Sequence, residues 1–145
     1  MSSRTKQIGL IGEQVITTEF VKRNITTLIP VGDNEPYDLV ININDKFLRI
    51  QVKTTEFVKD GVMKFCTNIT NPHKKTSRKY KNNEIDLFGL YCIENGYVGL
   101  LRVEECTAKE TIIRLQKPRT NQQIHIKMAE EYEFDRQLQQ LYLSL

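Results

Sequence analysis

The stretch that decides the fold is Tyr37-Asp38-Leu39-Val40-Ile41-Asn42-Ile43, followed by Asn44-Asp45-Lys46 and then Phe47-Leu48-Arg49-Ile50-Gln51-Val52-Lys53-Thr54. Two runs rich in Val, Ile, Leu and Phe are separated here by a short polar turn, which predicts a β-hairpin over 37–54. Folding the hairpin brings Asp38, near the start of the first strand, towards Gln51 and Lys53, late in the second. Residues two apart on a strand point to the same face, so Gln51 and Lys53 share one, with the backbone carbonyl of Val52 between them.

Upstream, Ile8, Ile11, Val15, Ile16 and Phe20 recur at intervals of three and four, which predicts an amphipathic helix over 5–23. Gly9 and Gly12 fall inside it. Each costs about 1 kcal/mol of helix stability relative to Ala, so the pair predicts close packing against another backbone, immediately before Glu13. Residues 25–30 predict a first strand. The segment 31–36, containing Gly32, Asp33, Asn34 and Pro36, predicts a loop that delivers Tyr37 and Asp38.

Downstream, 62–67 predicts a strand continuing the meander after Lys59-Asp60-Gly61. The segment 68–84 has little apolar patterning and is expected to be a surface loop with room for one short helix. Residues 87–93 and 97–103 flank Glu94-Asn95-Gly96, where Asn-Gly signals a tight turn and a second hairpin, completing a sheet of five or more strands. An edge strand is expected over 111–115 and a polar, basic loop over 116–123. From Ile126 through Ala129, Tyr132, Leu138, Leu141 and Tyr142 an imperfect helical pattern predicts a C-terminal helix with a break near Glu133. The apolar residues 141–145 are a candidate oligomer contact.

With 145 residues and 39% hydrophobic content, the chain can build a core without staples, and a single domain over 1–145 is expected. Cys66, Cys92 and Cys106 are widely spaced and odd in number, which excludes a zinc ribbon or a disulfide framework and predicts reduced thiols. No apolar run approaches the roughly 20 residues of a membrane helix, and the first residues lack a signal-peptide core, so a cytoplasmic protein without membrane contact is expected. The net charge of +3 says little about partners, but its distribution does. His73 to Lys81 reads HKKTSRKYK without an acid, whereas 130–135 is acidic.

Hydrolysis of a phosphodiester requires oxygen ligands for a hard divalent cation, a means of orienting water, and a cation near the scissile phosphate. Glu13, Asp38, Gln51 and Lys53 supply these parts. Asp38 is the principal carboxylate ligand, Glu13 approaches from the opening helix, Gln51 offers a neutral amide oxygen, and the Val52 carbonyl is available between Gln51 and Lys53. Lys53 then orients the attacking water and stabilises charge on the transition state. Taken singly, an Asp at a turn-to-strand junction is more often structural and a strand Lys is usually a solvated charge. The combination is stronger: an acid, a hairpin, Gln two before Lys, and a preceding Gly-x-x-Gly-Glu helix.

Gly9-Leu10-Ile11-Gly12-Glu13, Pro36-Tyr37-Asp38-Leu39-Val40 and Ile50-Gln51-Val52-Lys53-Thr54 resemble the PD-(D/E)xK nuclease superfamily, and most nearly the homing endonucleases encoded in cyanobacterial group I introns. Residues 80–91 (YKNNEIDLFGLY), the 97–103 strand, Arg114-Leu115, Asn121-Gln122 and 129–132 extend the likeness over most of the chain. The resemblance implies an α/β, restriction-endonuclease-like fold in which helices flank a mixed central β-sheet. It further implies a Mg²⁺-dependent endonuclease that cuts double-stranded DNA at a long, pseudo-palindromic target as a homo-oligomer, with a tetramer expected. The family's catalytic set falls on Glu13, Asp38, Gln51 and Lys53. Gln51 departs from the superfamily's usual acid and is a variation of that homing group; one negative charge fewer weakens the electrostatic hold on a dication. Two alternatives share the fold: a nuclease specific for four-way junctions, and a catalytically silent DNA-binding protein.

A DNA partner requires phosphate contacts, for which Lys74, Lys75, Arg78, Lys79 and Lys81 are candidates, joined by Thr76, Ser77 and Tyr80 as hydrogen-bond donors. For base reading, 62–81 offers Lys64, Thr67, Asn68, Asn71 and Arg78. Residues 114–127 offer Lys117, Arg119, Asn121, Gln122 and Gln123. His73 and His125 lack partners for a metal site and are expected to be surface residues or phosphate contacts.

Overall fold

The computed structural model describes residues 3–71, 73–106, 109–118 and 126–145. An opening helix α1 (Ser3–Lys22) leads through β1 (Thr26–Leu28) into the hairpin β2 (Leu39–Ile43) and β3 (Lys46–Thr55). The turn is tighter than the sequence suggested: Ile43 pairs with Lys46, and Asn44 and Asp45 both take positive φ, at 52° and 64°. Two residues with positive φ match the right-handed twist of the strands, and Asn and Asp tolerate that conformation best among side chains larger than Gly.

The central sheet has the order β1-β2-β3-β7-β8, where β7 is Leu87–Cys92 and β8 is Val98–Arg102. It is mixed: β3 and β7 run parallel, from Ile50 against Leu87 to Thr55 against Cys92, and the other pairs are antiparallel. Strand β7 is apolar on both faces, as a strand covered on both sides must be. Leu87 joins Ile16 and Phe20 of α1, Leu39, Ile41 and Ile43 of β2, Ile50 and Val52 of β3 and Leu100 of β8 in one core, which Phe134, Leu138 and Leu141 of the C-terminal helix α2 (Phe134–Ser144) complete. Phe88, Leu90 and Cys92 point the other way, into a second core with Met63, Phe65, Leu101 and Ile113. Both α-helices among the described residues therefore cover one face of the sheet.

A smaller sheet covers the other face. Strand β4 (Val62–Cys66) does not continue the meander; it pairs antiparallel with β9 (Glu110–Arg114), which in turn pairs parallel with β10 (Lys127–Met128). Strand β9 is thus central in its sheet and not an edge strand. Burial in β4 alternates, with Met63 and Phe65 inward and Lys64 and Cys66 outward, which suits a sheet with one wet face and not the position beside β3 that β7 fills.

The segment 68–84 is no loop. Its first part forms an antiparallel ribbon of β5 (Asn68–Asn71) and β6 (Thr76–Lys79), with Asn68 opposite Lys79 and Asn71 opposite Thr76. All four residues of β6 are exposed, so apolar alternation, the usual sign of a strand, is absent. The tail is also divided: β10 occupies the first part of the expected helix, and α2 starts at the foreseen break, where the Glu133 carboxylate caps the amides of Asp135 and Arg136 at 3.2 and 3.1 Å. Of the final residues, Leu141 is in the core, while Tyr142 and Leu143 are exposed. The glycine pair also splits. A Cβ on Gly12 would lie 1.7 Å from Thr54 Oγ1, so helix and strand touch there, whereas a Cβ on Gly9 would meet nothing within 4 Å.

Candidate active site

The direct contact of Gly12 with Thr54 lets α1 cross β3 closely enough for the next residue, Glu13, to reach the strand ends. Its carboxyl hydrogen-bonds the carboxyl of Asp38. Asp38 sits just before β2, where its amide donates to the Ile50 carbonyl at 2.8 Å and its Oδ2 accepts the Val52 amide at 2.8 Å. The side chain of Asp38 thus continues the β2–β3 ladder one step past the end of the strand. On β3, Arg49 and Thr55 turn their carbonyls toward β7 and Ile50 turns its toward β2, and strand alternation, with the Val52 amide on Asp38, puts the Val52 carbonyl on the β2 side too. The Val52 carbonyl accordingly points into the gap that Asp38 borders.

Burial is the main force raising the Glu13 pKa to about 7, and the neighbouring Asp38 charge and the hydrogen bond with Asp38 push the same way. Asp38 is also raised, chiefly by burial, against the opposing pull of the Val52 amide, Glu13 and the Lys53 ammonium. Two carboxylates this close resist double ionisation, and the pair holds a proton near neutrality. A divalent cation would relieve that repulsion, so the paired carboxylates, with the Val52 carbonyl beside them, suit a hard, oxygen-loving ion. Among the described residues no three His, Cys, Asp or Glu side chains gather as a metal cluster.

Gln51 and Lys53 share the face of β3 opposite Ile50 and Val52, and both are half-buried. Lys53 Nζ acts on Asp38 and stands 5.1 Å from the ring centroid of Tyr80. The sequence offers Tyr80 as a hydrogen-bond donor to DNA and as part of the 80–91 likeness; its apposition to Lys53 depends on the ribbon's path, for which the sequence carries no signal. Behind the site, Arg49 grips Asp86 with two nitrogens at 3.0 and 3.1 Å and donates to the Asn82 carbonyl at 2.9 Å, fastening β3 to the segment that leads into β7.

The basic residues fall into distinct settings. Lys74 and Lys75 form the tip of the β5–β6 ribbon, where Asn71 Oδ1 accepts the amides of His73 and Lys74 and Lys75 takes a φ of 51°. Arg78 is held by Glu84 in a two-pronged pair at 2.7 and 2.9 Å, which holds the Glu84 carboxyl down at about 2. Lys79, Lys81 and Lys117 are exposed. Thr67 and Asn68 are buried, and Thr67 shares a hydrogen bond with Thr111 at 2.9 Å, so in this conformation neither side chain is presented to a groove. Lys64, Lys75 and Lys109 instead line an open groove of about 580 Å³ beside the ribbon. The candidates Arg119, Asn121, Gln122, Gln123 and His125 lie outside the described residues.

No described helix is long and apolar enough to cross a membrane. No curated protein matches the chain. Among solved structures, the bacterial homing endonuclease I-Ssp6803I superposes with a TM-score of 0.76 over 98% of this chain and 95% of its own, at 21% identity, which is a likeness of fold. The family model described as PD-(D/E)XK endonuclease matches residues 3–135, a span that takes in Glu13, Asp38, Gln51 and Lys53. The chain belongs to the PD-(D/E)XK endonuclease family.

Proposed function

We propose that this protein is a homing-type endonuclease that makes a sequence-specific double-strand break in DNA with Mg²⁺, using Glu13, Asp38, Gln51, the Val52 carbonyl and Lys53. The observation that carries the reading is the Glu13–Asp38 carboxyl pair beside the Val52 amide, with the Lys53 ammonium acting on the same group. When bound there, a divalent cation supplies charge neutralisation at the phosphate and makes water more acidic. Glu13 and Asp38 would hold the ion once their shared proton had left. Gln51 adds an oxygen without adding charge, and Lys53 faces the phosphate, donating to its oxygens and orienting the incoming water. The ribbon, with Lys74, Lys75, Lys79 and the nearby Lys81, is narrow enough for a major groove and carries the phosphate contacts. Lys117, Arg119 and Gln122 are the proposed contacts on the far segment. The fold likeness to a homing endonuclease, together with Gln51, which the family resemblance implies is a variation of the homing group, favours homing over the other activities of the family.

Incubation of the purified protein with Mg²⁺ and a library of duplex sequences is expected to yield cuts at one defined site. Asp38→Ala abolishes the cut and Lys53→Ala slows it at least about a hundredfold with DNA affinity retained, as befits loss of a transition-state contact. Cutting of four-way junctions regardless of sequence would select a junction-resolving nuclease. Tight specific binding with no hydrolysis would select a silent binding protein, and undiminished cutting by Asp38→Ala would overturn the site.

A further inference from the structure

Tyr80 stands where the ribbon meets the site. It follows Lys79, the last residue of β6, and the chain then bends as the Lys81 amide donates to Glu84 at 2.9 Å. Its ring meets that of Phe88 edge to face, with centroids 5.3 Å apart and planes at 85°. Phe88 is fully buried on β7, so the tyrosine ring has a fixed seat on the second core. Lys53 Nζ lies over that ring at 5.1 Å from its centroid.

A lysine ammonium rides on a flexible four-carbon stem and is poorly localised unless something attracts it. The face of an aromatic ring is such an attractor, and more effective where water is partly excluded. Asp38 draws on the same ammonium. We propose that Tyr80 is a positioning residue: its ring holds Lys53 where the scissile phosphate will lie and, being one residue from the end of β6, makes that placement sensitive to how the ribbon seats on DNA. The inference rests on the proposed nuclease role of Lys53. The hydroxyl plays no part in it, since the attraction comes from the ring face.

The test pairs a catalytic readout with one that needs no substrate. In single-turnover cleavage at saturating protein, which takes any loss of affinity out of the readout, Tyr80→Leu is expected to lower the rate constant about tenfold and Tyr80→Phe to keep it within about threefold of wild type. In NMR spectra of the metal-free protein, the ring current should shift the Lys53 Hε protons upfield in wild type and Tyr80→Phe, and the shift should vanish in Tyr80→Leu. A wild-type rate for Tyr80→Leu or an unshifted Lys53 signal in the wild-type protein would overturn the proposal. The second of these requires no variant to fold. If the wild-type protein cuts no DNA, the nuclease reading fails, and the Lys53 signal alone then decides whether the ring holds the ammonium.

Discussion

The carboxyl groups of Glu13, on a helix, and Asp38, at the start of a strand, share a hydrogen bond, and both pKa values are raised. A carboxyl whose folded pKa exceeds its unfolded value binds protons more tightly in the native state, so it favours folding at low pH. That advantage is lost as pH rises from the ordinary 4.5 toward about 7. In chelator, the wild-type protein is therefore expected to lose stability across that window relative to Glu13→Gln, whose amide bears no charge and can donate to Asp38. Solvent screening of the half-exposed Glu13 reduces the difference to about 1 kcal/mol at pH 8.5, or a Tm gap of about 2–4 °C, closing by pH 5. Thermal melts of both proteins across pH check this, and parallel profiles would refute the shared proton. Adding Mg²⁺ at pH 8 should raise the wild-type Tm more than that of Glu13→Gln.

Gly12 allows no side chain, because a Cβ would lie 1.7 Å from Thr54 Oγ1. Gly12→Ala must push α1 off β3, at a cost of about 2–3 kcal/mol, and it carries Glu13 away from Asp38. Cleavage should fall further than stability explains. Thr54→Ala in the same chain should restore part of both, since it removes the atom in closest conflict. By contrast, Gly9→Ala should leave Tm unchanged or slightly raised, because nothing lies within 4 Å and Ala is the better helix former. Thermal and urea unfolding of the four proteins give the comparison.

The Arg78 guanidinium is occupied by Glu84. Glu84→Gln should free it for phosphate, tightening DNA binding several-fold at low salt and steepening the dependence of log Kd on log salt by about one unit. Titration of a fluorescent duplex at several salt concentrations measures both. If affinity and slope stay put, Arg78 does not face the DNA.

Leu28, Ile29 and Val31 are exposed beside the edge strand β1, and Tyr142 and Leu143 are exposed on α2. The tetramer that the family resemblance implies would cover apolar surface of this kind. Light scattering after gel filtration is expected to give four times the 17.0 kDa chain mass. Leu143→Glu with Ile29→Glu should lower it. A monomer in the unaltered protein would refute the assembly.

The opening helix, with one buried and one exposed face, both hairpins, each marked by its turn, and the common face of Gln51 and Lys53 were legible in the sequence. Glu13 and Asp38 could be paired because the first ends a close-packed turn and the second begins a strand. What escaped was whatever lacks a solvent-to-core alternation or depends on partners far along the chain. The ribbon is exposed throughout β6, so Thr76 to Lys79 gave no period-two signal. The choice between β4 and β7 as the neighbour of β3 is a contest of long-range pairings, and only the doubly apolar Leu87–Cys92 hinted at the winner. Tyr80 reaches Lys53 only after that contest is resolved.

The parallel pairing of β3 with β7 has a consequence in time. Parallel neighbours need a crossover, and here the excursion from Glu56 to Asp86 contains β4 and the ribbon. A chain emerging from the ribosome displays Glu13, Asp38 and Lys53 well before Leu87 exists to pin β3, and before Phe88 exists to seat Tyr80. Contacts of such long sequence separation form late. The candidate site is therefore complete only once Leu87 and Phe88 have joined the sheet, however early Glu13, Asp38 and Lys53 leave the ribosome.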